Sequence, residues 1–257
     1  MRRLRRLVRR RAERWDEGVC VIEGPDLIDA ALESGVTFEA LYVDGAFADE
    51  PAVAATMERA FAAGVSVFSL DPGVIENVAD AKTPQPLLAA VRFVVADLAS
   101  VGSDGLVLVL DNVRDPGNAG TIIRSGDAAG AVAIVMSGDC VDPFNPKTLR
   151  ASAGSVFHVP LVVADLAATL SHFRSAGVRS YATVVDGGTA YRTADLSGPC
   201  VVVIGNESAG LSDAAAAACD ERLTIPMAGR AESLNAGVAA SLIAFEALHQ
   251  RGGTTSA

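Results

Sequence analysis

Residues 106–136, LVLVLDNVRDPGNAGTIIRSGDAAGAVAIVM, contain the signals that decide the fold. The run LVLVL is apolar throughout, which is typical of a strand buried on both faces of a parallel sheet. Pro116-Gly117 then predicts a turn, followed by a helix from about Asn118, as its N-cap, to Ala129. AVAIVM predicts the next buried strand, so this stretch is a strand–helix–strand unit.

The same alternation continues towards the C-terminus. Further buried strands are predicted at HVPLVV, YATVV, CVVVI and LTIP, which start at residues 158, 181, 200 and 223. Helices are predicted near 146–156, 165–176, 211–219 and 234–249. This order predicts an α/β domain with a parallel sheet over residues 106–257.

The N-terminal part predicts a second, smaller α/β/α domain over residues 1–96. Strands at VCVIEG, FEALYVD, VSVFSL and LLAAVRFVV alternate with helices at PDLIDAALESG and from Pro51 to Ala63. The polar, glycine-bearing stretch DLASVGSDG, residues 97–105, predicts the linker between the two domains.

Charge is distributed unevenly along the 257 residues, whose net formal charge is −10. Residues 1–17 hold eight arginines against three acidic residues, so +5 lies here and −15 in the remainder. Apolar side chains recur at helical spacing in this segment, which predicts a basic amphipathic helix. A globally acidic protein can still bind a polyanion if its cations are gathered in one place.

Composition excludes several classes of protein. Half of the chain is apolar, which excludes a mainly disordered protein. No apolar run approaches the ~18 residues of a membrane span, and the start lacks a signal-peptide core. The cysteines are far apart, so neither a zinc site nor a disulfide framework is predicted, and we expect a cytoplasmic protein. They are Cys20, Cys140, Cys200 and Cys219.

Three loops hold more polar, glycine and asparagine residues than a connection needs, and each follows a predicted buried strand. Open α/β sheets place their sites in loops at the carboxyl ends of parallel strands. The loops are DNVRDPGNAGTIIRSGDAAGA at 111–131, VVVIGNESAGLS at 201–212 and LTIPMAGRAESLNAGVA at 223–239. No G-x-G-x-x-G follows a strand, so an ordinary dinucleotide loop is not predicted.

Several residues of these loops have both a functional and a plain structural interpretation. Asn118 could only cap a helix, and Arg124 could only pair with Asp127. Glu207 could be a general base, a metal ligand or an anchor at a helix start. Gly205 would let a ligand approach the backbone closely, or could serve only the turn.

The third loop combines apolar and polar residues. Ile225 and Leu234 bracket it, which suits a flat aromatic ligand held between apolar side chains with backbone amides at its edge. The helix that follows, LNAGVAASLIAFEALH at 234–249, is apolar almost all round and is therefore predicted to be buried on every side. This favours a homodimer through this half of the chain, with an internal core helix as the alternative.

Taken in order, the three loops resemble the motifs of the SpoU family of RNA ribose 2′-O-methyltransferases, in the SPOUT superfamily. The matching segments are NVRDPGNAGTIIRSGDAAG, VVVIGNESAGLS and IPMAGRAESLNAGVAASL, and RASAGSVFHVP at 150–160 resembles the intervening segment. The similarity covers about 106–249. The basic helix and VCVIEG resemble the RNA-binding substrate domain that often precedes the catalytic domain.

The resemblance implies a parallel-sheet SPOUT domain with a C-terminal trefoil knot, a homodimer, and S-adenosyl-L-methionine as cofactor with no metal. By motif position it implies cofactor binding by Gly205, Ile225 and Leu234. It places around the reacting ribose the residues Asn118, Arg124, Glu207, Ser233 and Asn235. A guanidinium keeps its proton at neutral pH, so we expect Arg124 to bind phosphate and stabilise the 2′-oxygen rather than act as a base.

RNA is the expected partner, and large-subunit ribosomal RNA is favoured because an N-terminal substrate domain is commoner in the ribosomal-RNA members. The arginines expected to contact RNA are Arg2, Arg3, Arg5, Arg6, Arg9, Arg10, Arg114 and Arg150. Three alternatives remain: a transfer-RNA substrate, a non-catalytic RNA-binding member of the fold, and an unrelated α/β enzyme that uses Glu207 as a base.

Overall fold

The computed structural model describes residues 1–81 and 83–252, and the chain forms two units. The first unit comprises Met1–Val94 together with Asp142–His158, and the second comprises Val95–Val141 and the described residues from Val159 on. The segment Asp142–His158 therefore groups with the first unit, although the sequence predicts it within the second domain. Residues 253–257 of the predicted second domain lie outside the described residues.

A mixed sheet forms the centre of the first unit. Its strands are β1 (Val19–Glu23), β2 (Phe38–Asp44), β3 (Val67–Leu70) and β4 (Leu87–Arg92). Their order across the sheet is β1-β4-β2-β3, with β4 antiparallel to both neighbours and β3 parallel to β2. The short strand β3 lies at the edge of this sheet.

The predicted basic helix is two helices. They are α1 (Arg2–Arg9) and α2 (Arg11–Glu17), and the backbone is extended at Arg10 between them. The apolar side of α1 packs against the sheet, as its helical spacing predicts. The other helices of this unit are α3 (Pro25–Glu33), α4 (Pro51–Ala62) and α6 (Pro146–Ser152).

A buried ion pair joins α2 to the inserted segment within the first unit. Arg14 donates to Asp142 at 2.6 and 2.7 Å, and the two side chains are 3% and 4% exposed. The guanidinium also donates to the carbonyls of Leu7 and Val8 at the end of α1. Arg14 is therefore a structural residue, although it belongs to the most basic segment of the chain.

In the part of the chain that the structure describes, the second unit contains one parallel sheet in the order β7-β6-β5-β10-β8-β11-β9. The central strands β5 (Leu106–Asp111) and β10 (Cys200–Ile204) are buried along their whole length, as their apolar runs predict. The other strands are β6 (Ala133–Ser137), β7 (Leu161–Val163), β8 (Arg179–Thr183), β9 (Thr189–Ala190) and β11 (Glu221–Thr224). The sequence does not predict β9, which has only two residues.

Helices flank this sheet. They are α5 (Pro116–Ala128), α7 (Leu166–Ser175), α8 (Asp213–Ala218) and α9 (Ala236–Gln250). The prediction that Asn118 caps α5 is wrong, because the cap is Asp115, whose carboxylate accepts the N–H of Asn118 at 2.8 Å. The carboxamide of Asn118 is therefore not used as a cap.

The helices α5 and α9 pack closely side by side. A Cβ atom on Gly237 would lie 3.0 Å from Thr121, and the hydroxyls of Ser125 and Ser241 are 2.6 Å apart. The opposite side of α9 is open in the single chain, so the alternative of an internal core helix is wrong, and burial of this side by a second chain stays a prediction. The exposed apolar residues of α9 are Val238, Leu242 and Phe245.

The α/β class, with a small first unit and a parallel-sheet second unit, is confirmed. The threading of the chain through a knot stays a prediction. Among the described residues, no helix has both the length and the apolar character that a membrane span requires.

Candidate active site

The first two polar loops meet at the carboxylate of Glu207. Its Oε1 accepts the N–H of Asp115 at 3.0 Å and Nδ2 of Asn118 at 3.1 Å. Its Oε2 accepts the N–H of Arg114 and Nδ2 of Asn206, both at 3.3 Å. One carboxylate therefore fastens the loop after β10 to the loop after β5.

The protonation of Glu207 follows from these bonds. Partial burial raises its pKa and is the largest single effect. The bond from Asn118 and those from the backbone N–H groups of Glu207, Asp115 and Arg114 lower the pKa and together outweigh burial. The pKa of Glu207 thus lies below its ordinary value, which favours an ionised anchor over a general base at neutral pH.

The third loop is fastened through Asn118 as well. Asn235 donates from Nδ2 to Oδ1 of Asn118 at 2.7 Å, and its own Oδ1 accepts the N–H of Val238 at the start of α9. Asn118 is 7% exposed, and its carboxamide donates to one loop while it accepts from another. The two polar ends of one side chain therefore join all three loops that the sequence singles out.

Arg124 and Ser233 stand apart from this hydrogen-bonded group. Arg124 is exposed on α5, and no residue that the structure describes forms a hydrogen bond or ion pair with it. Its pairing with Asp127, the structural alternative, is therefore not found. Ser233 is exposed on the third loop, at the edge of a cavity.

The cavity has a volume of about 960 Å³ and lies among the loops after β8, β10 and β11 and the start of α9. The three residues predicted to bind the cofactor, Gly205, Ile225 and Leu234, all line it. The segment from Thr183 to Gly187 lines it too, and this loop is not among those that the sequence singles out. The paired glycines at 187–188, which follow the apolar run at 181–185 after Asp186, are the signal that could have found it.

The conformation of the loop after β10 requires glycine at position 205. A Cβ atom there would lie 2.4 Å from both the carbonyl carbon of Gly210 and the nitrogen of Leu211. The loop closes on itself through two backbone bonds between Asn206 and Gly210, at 2.9 and 3.1 Å. A side chain at Gly205 would therefore collide with the protein backbone, in addition to reducing the cavity.

Most arginines predicted to contact RNA already have protein partners. Arg3 pairs with both Glu17 and Glu39, and Arg150 pairs with Glu23 at 3.3 Å. The remaining contacts are Arg5 with the carbonyl of Asn77, Arg6 and Arg10 with Glu13, and Arg114 with Asp139. Arg2 and Arg9 are exposed on α1.

Known protein families match both parts of the chain. The model described as the SpoU rRNA Methylase family matches residues 105–245, and that described as an MRM3-like substrate binding domain matches residues 1–89. The chain is 35% identical over 241 residues to the 23S rRNA (guanosine(2553)-2′-O)-methyltransferase RlmP of Bacillus subtilis, covering 93% of this chain and 91% of that protein.

Two solved structures resemble the fold over nearly the whole chain. The AdoMet-bound rRNA methyltransferase from Sinorhizobium meliloti has a TM-score of 0.84 at 34% identity, covering 96% of this chain and 93% of that one. The SpoU methyltransferase AviRb from Streptomyces viridochromogenes, in complex with AdoMet, has a TM-score of 0.86 at 31% identity, covering 97% of each chain.

The second unit is a parallel sheet, and hydrogen bonds join the loops at its carboxyl edge beside one cavity. Together with the likeness to the two solved methyltransferases, this defines an α/β methyltransferase of the SPOUT class. The chain belongs to the SpoU rRNA methylase family. The resemblance that the three loops indicate is thereby confirmed.

Proposed function

We propose that this chain transfers a methyl group from S-adenosylmethionine to a ribose 2′-hydroxyl in RNA, and that the RNA is 23S ribosomal RNA. The observation on which this rests is the double role of Asn118, which joins the three motif loops beside the cavity. The relative from Bacillus subtilis, whose printed name states this reaction on 23S rRNA, supports the choice of substrate.

The cavity suits S-adenosylmethionine in size and lining. Pockets for small ligands and cofactors are about 300–1,000 Å³, and this one is about 960 Å³. Ile225 and Leu234 would hold the adenine between apolar side chains, and Gly205 keeps the loop wall free of a side chain. Asp186 and Glu232 also line the cavity and complement the positive charges of the cofactor. When bound, the cofactor supplies a methyl group on a sulfonium, which leaves a neutral thioether.

Residues of the chain then align the reacting hydroxyl and stabilise its charge. We assign to Arg124 a forked contact with an RNA phosphate and stabilisation of the negative charge that develops on the 2′-oxygen. Its exposure and lack of a partner among the described residues support this role. The hydroxyl of Ser233, at the cavity edge, is assigned to the ribose.

The hydrogen-bonded group sets the relative position of the three loops. Glu207, Asn118 and Asn235 hold the three loops in one relative position. Alignment of reacting groups can supply roughly 7–11 kcal/mol of a barrier. We therefore propose that these residues are positioning residues, and that Glu207 is not the general base.

We also propose a role for each domain of the chain. Residues 1–96 form the RNA substrate-binding domain, 97–105 the linker and 106–257 the methyltransferase domain. The exposed cations Arg2 and Arg9 of α1 support an RNA-binding role for the first of these. We place the protein in the cytoplasm, where its proposed substrate is found.

We also propose a homodimer through the catalytic domain. The outer side of α9 exposes Val238, Leu242 and Phe245, which are 46%, 39% and 48% exposed in the single chain. Side chains of this kind along one helix face are typical of a surface that another chain covers.

Two measurements test the proposal together. Calorimetric titration of the purified protein with S-adenosylmethionine should show one saturable site per chain. Incubation with radiolabelled cofactor should transfer label to unmodified 23S rRNA and not to transfer RNA. Absence of cofactor binding would favour the non-catalytic alternative, and label in transfer RNA alone would overturn the choice of substrate.

A further inference from the structure

An aromatic pair lies on the sheet of the first unit. The rings of Tyr42 and Phe68 are stacked, with centroids 5.8 Å apart and planes at 25°. Tyr42 is half-buried, whereas Phe68 is 50% exposed. One ring of the pair is thus anchored in the protein, and the other has an open side.

The sheet register explains why this ring is open. Phe68 lies directly opposite Tyr42 on the edge strand β3, so both side chains are on the same face of the sheet. Tyr42 and Leu70 pack against the apolar cluster that includes Leu4 and Leu7 of α1. The helix therefore covers this face over the inner strands and leaves its outer end, at Phe68, uncovered.

Cations lie on the helix that covers this face. The outer side of α1 exposes Arg2 and Arg9, and Nε of Arg5 donates to the carbonyl of Asn77 in the connection after β3, at 3.0 Å. The nearby acid Glu39 is paired with both Arg3 and Arg92. The connection after β3 is itself acidic, so phosphate contacts are expected from α1 and not from that connection.

We propose that the exposed ring of Phe68 stacks an unpaired base of the RNA substrate while arginines of α1 contact the flanking phosphates. This inference rests on the proposed function, because it takes RNA as the substrate. Recognition of RNA commonly uses aromatic rings on which unpaired bases stack, with cations along the backbone. Tyr42 fixes the orientation of the Phe68 ring, so the platform is formed before RNA binds.

The arginines favour RNA over a protein as the occupant. An apolar protein partner would leave Arg2 and Arg9 of α1 without counter-charges, whereas an RNA strand supplies a phosphate at every nucleotide. Stacking alone selects no particular base, because every base has a π-face.

The test uses the full chain and a short single-stranded RNA that contains one 2-aminopurine, whose fluorescence is quenched on stacking. Phe68→Leu removes the ring and keeps an apolar side chain, and Phe68→Trp restores a ring. Phe61→Leu is the matched control, since Phe61 is 77% exposed on α4 of the same unit. Circular dichroism confirms that each variant is folded.

We expect Phe68→Leu to weaken RNA binding about five- to hundredfold and to abolish the quenching, from a stacking energy of about 1–3 kcal/mol per base. Phe68→Trp should retain both, and Phe61→Leu should match the wild type. The salt dependence of binding should be unchanged in Phe68→Leu and reduced in Arg2→Ala/Arg9→Ala, because only the arginines displace counterions.

Several results would overturn the inference. Equal binding and quenching by Phe68→Leu and Phe61→Leu would do so, as would a wild-type protein that never quenches the probe. A change of sedimentation without a change of RNA binding would mean that Phe68 faces a protein. Methyl transfer by the wild-type protein is measured separately, so its failure would count against the proposed function and leave the stacking result intact.

Discussion

Asn235 donates a hydrogen bond of 2.7 Å to Oδ1 of Asn118, a residue 117 positions earlier in the chain. The same Asn118 side chain donates to Glu207, 89 positions later. A carboxamide can do both at once because one end is a donor and the other an acceptor. The relative position of the three loops thus depends on one side chain.

Asn118→Asp should therefore be worse than Asn118→Ala. Aspartate puts a carboxylate beside Glu207 and removes the donor, whereas alanine removes both bonds without adding repulsion. We expect methyl transfer at saturating cofactor to fall by about 10²-fold in the alanine variant, the effect of a displacement of roughly 1 Å, and further in the aspartate variant.

The measurement is the initial rate on RNA, with cofactor affinity by calorimetry. Asn145→Ala is the control, because Asn145 caps α6, which belongs to the first unit and not to the unit that holds the three loops. That variant should lose about 1 kcal/mol of unfolding free energy and keep its rate. Equal rates in Asn118→Asp and the wild type would contradict the bridging role.

Glu207→Gln should disorder the loop after β10. The carboxylate accepts from four N–H groups, and a glutamine amide would direct two donors at some of them. We expect a large loss of cofactor affinity by calorimetry. Glu221→Gln, a change of the same kind on β11 at a residue that pairs with Arg179 and does not line the cavity, should leave affinity near that of the wild type.

The same carboxylate predicts a pH dependence. Its pKa is below the ordinary value, so its stabilising contribution is fully present above the unfolded pKa of about 4.3 and is lost as pH falls through the lower folded pKa. The protection of the Arg114 and Asp115 amides from hydrogen exchange reports how firmly the loop is anchored. This protection should be constant from neutral pH down to the unfolded pKa. Weaker protection already near pH 6 would count against an ionised anchor.

Arg124→Ala should nearly abolish methyl transfer while cofactor affinity stays within a few-fold of the wild type. The side chain is exposed on α5 and does not line the cavity, so its loss leaves the cofactor site unchanged. Arg124→Lys keeps the charge but loses the forked donors, and should recover only part of the rate. Loss of cofactor binding with normal turnover at saturation would refute this assignment.

The buried pair of Arg14 and Asp142 predicts a stability effect within the first unit. Arg14→Met leaves a buried carboxylate without its cation and should cost about 3–5 kcal/mol of unfolding free energy in urea. Arg59→Met removes an exposed ion pair with Asp29 and should cost less than about 1 kcal/mol. Similar losses in the two variants would argue against the buried pair.

The open face of α9 gives a test of the proposed dimer. Leu242→Arg places a charge on the exposed apolar surface and should convert a dimer to folded monomers in sedimentation experiments. Ala240, in contrast, is fully buried within the chain, so a charge there would unfold the monomer. A wild-type protein that sediments as a monomer at micromolar concentration would exclude this interface.

Local signals in the sequence predict the central strands and the motif loops of the second unit. Uninterrupted apolar runs predict β5 and β10, and the three motif loops predict the residues that meet at Asn118. The cap of α5 was misplaced because Asp115 and Asn118 are both good caps, and only the position of the first turn distinguishes them.

Features set by distant contacts could not be predicted in this way. The burial of Arg14 depends on Asp142, which lies 128 positions away, and no local pattern indicates that one arginine among eight is internal. The cavity loop at 183–187 is not predicted because it contains neither asparagine nor arginine, and only its position beside the other loops makes it part of the site.

The most direct test is a map of ribose 2′-O-methylation on unmodified 23S rRNA, incubated with S-adenosylmethionine and either the wild-type protein or Arg124→Ala. We expect a new 2′-O-methyl group at a discrete site with the wild-type protein and none with the variant. Methylation on a base, transfer that persists in Arg124→Ala, or no ribose methylation at all would contradict it.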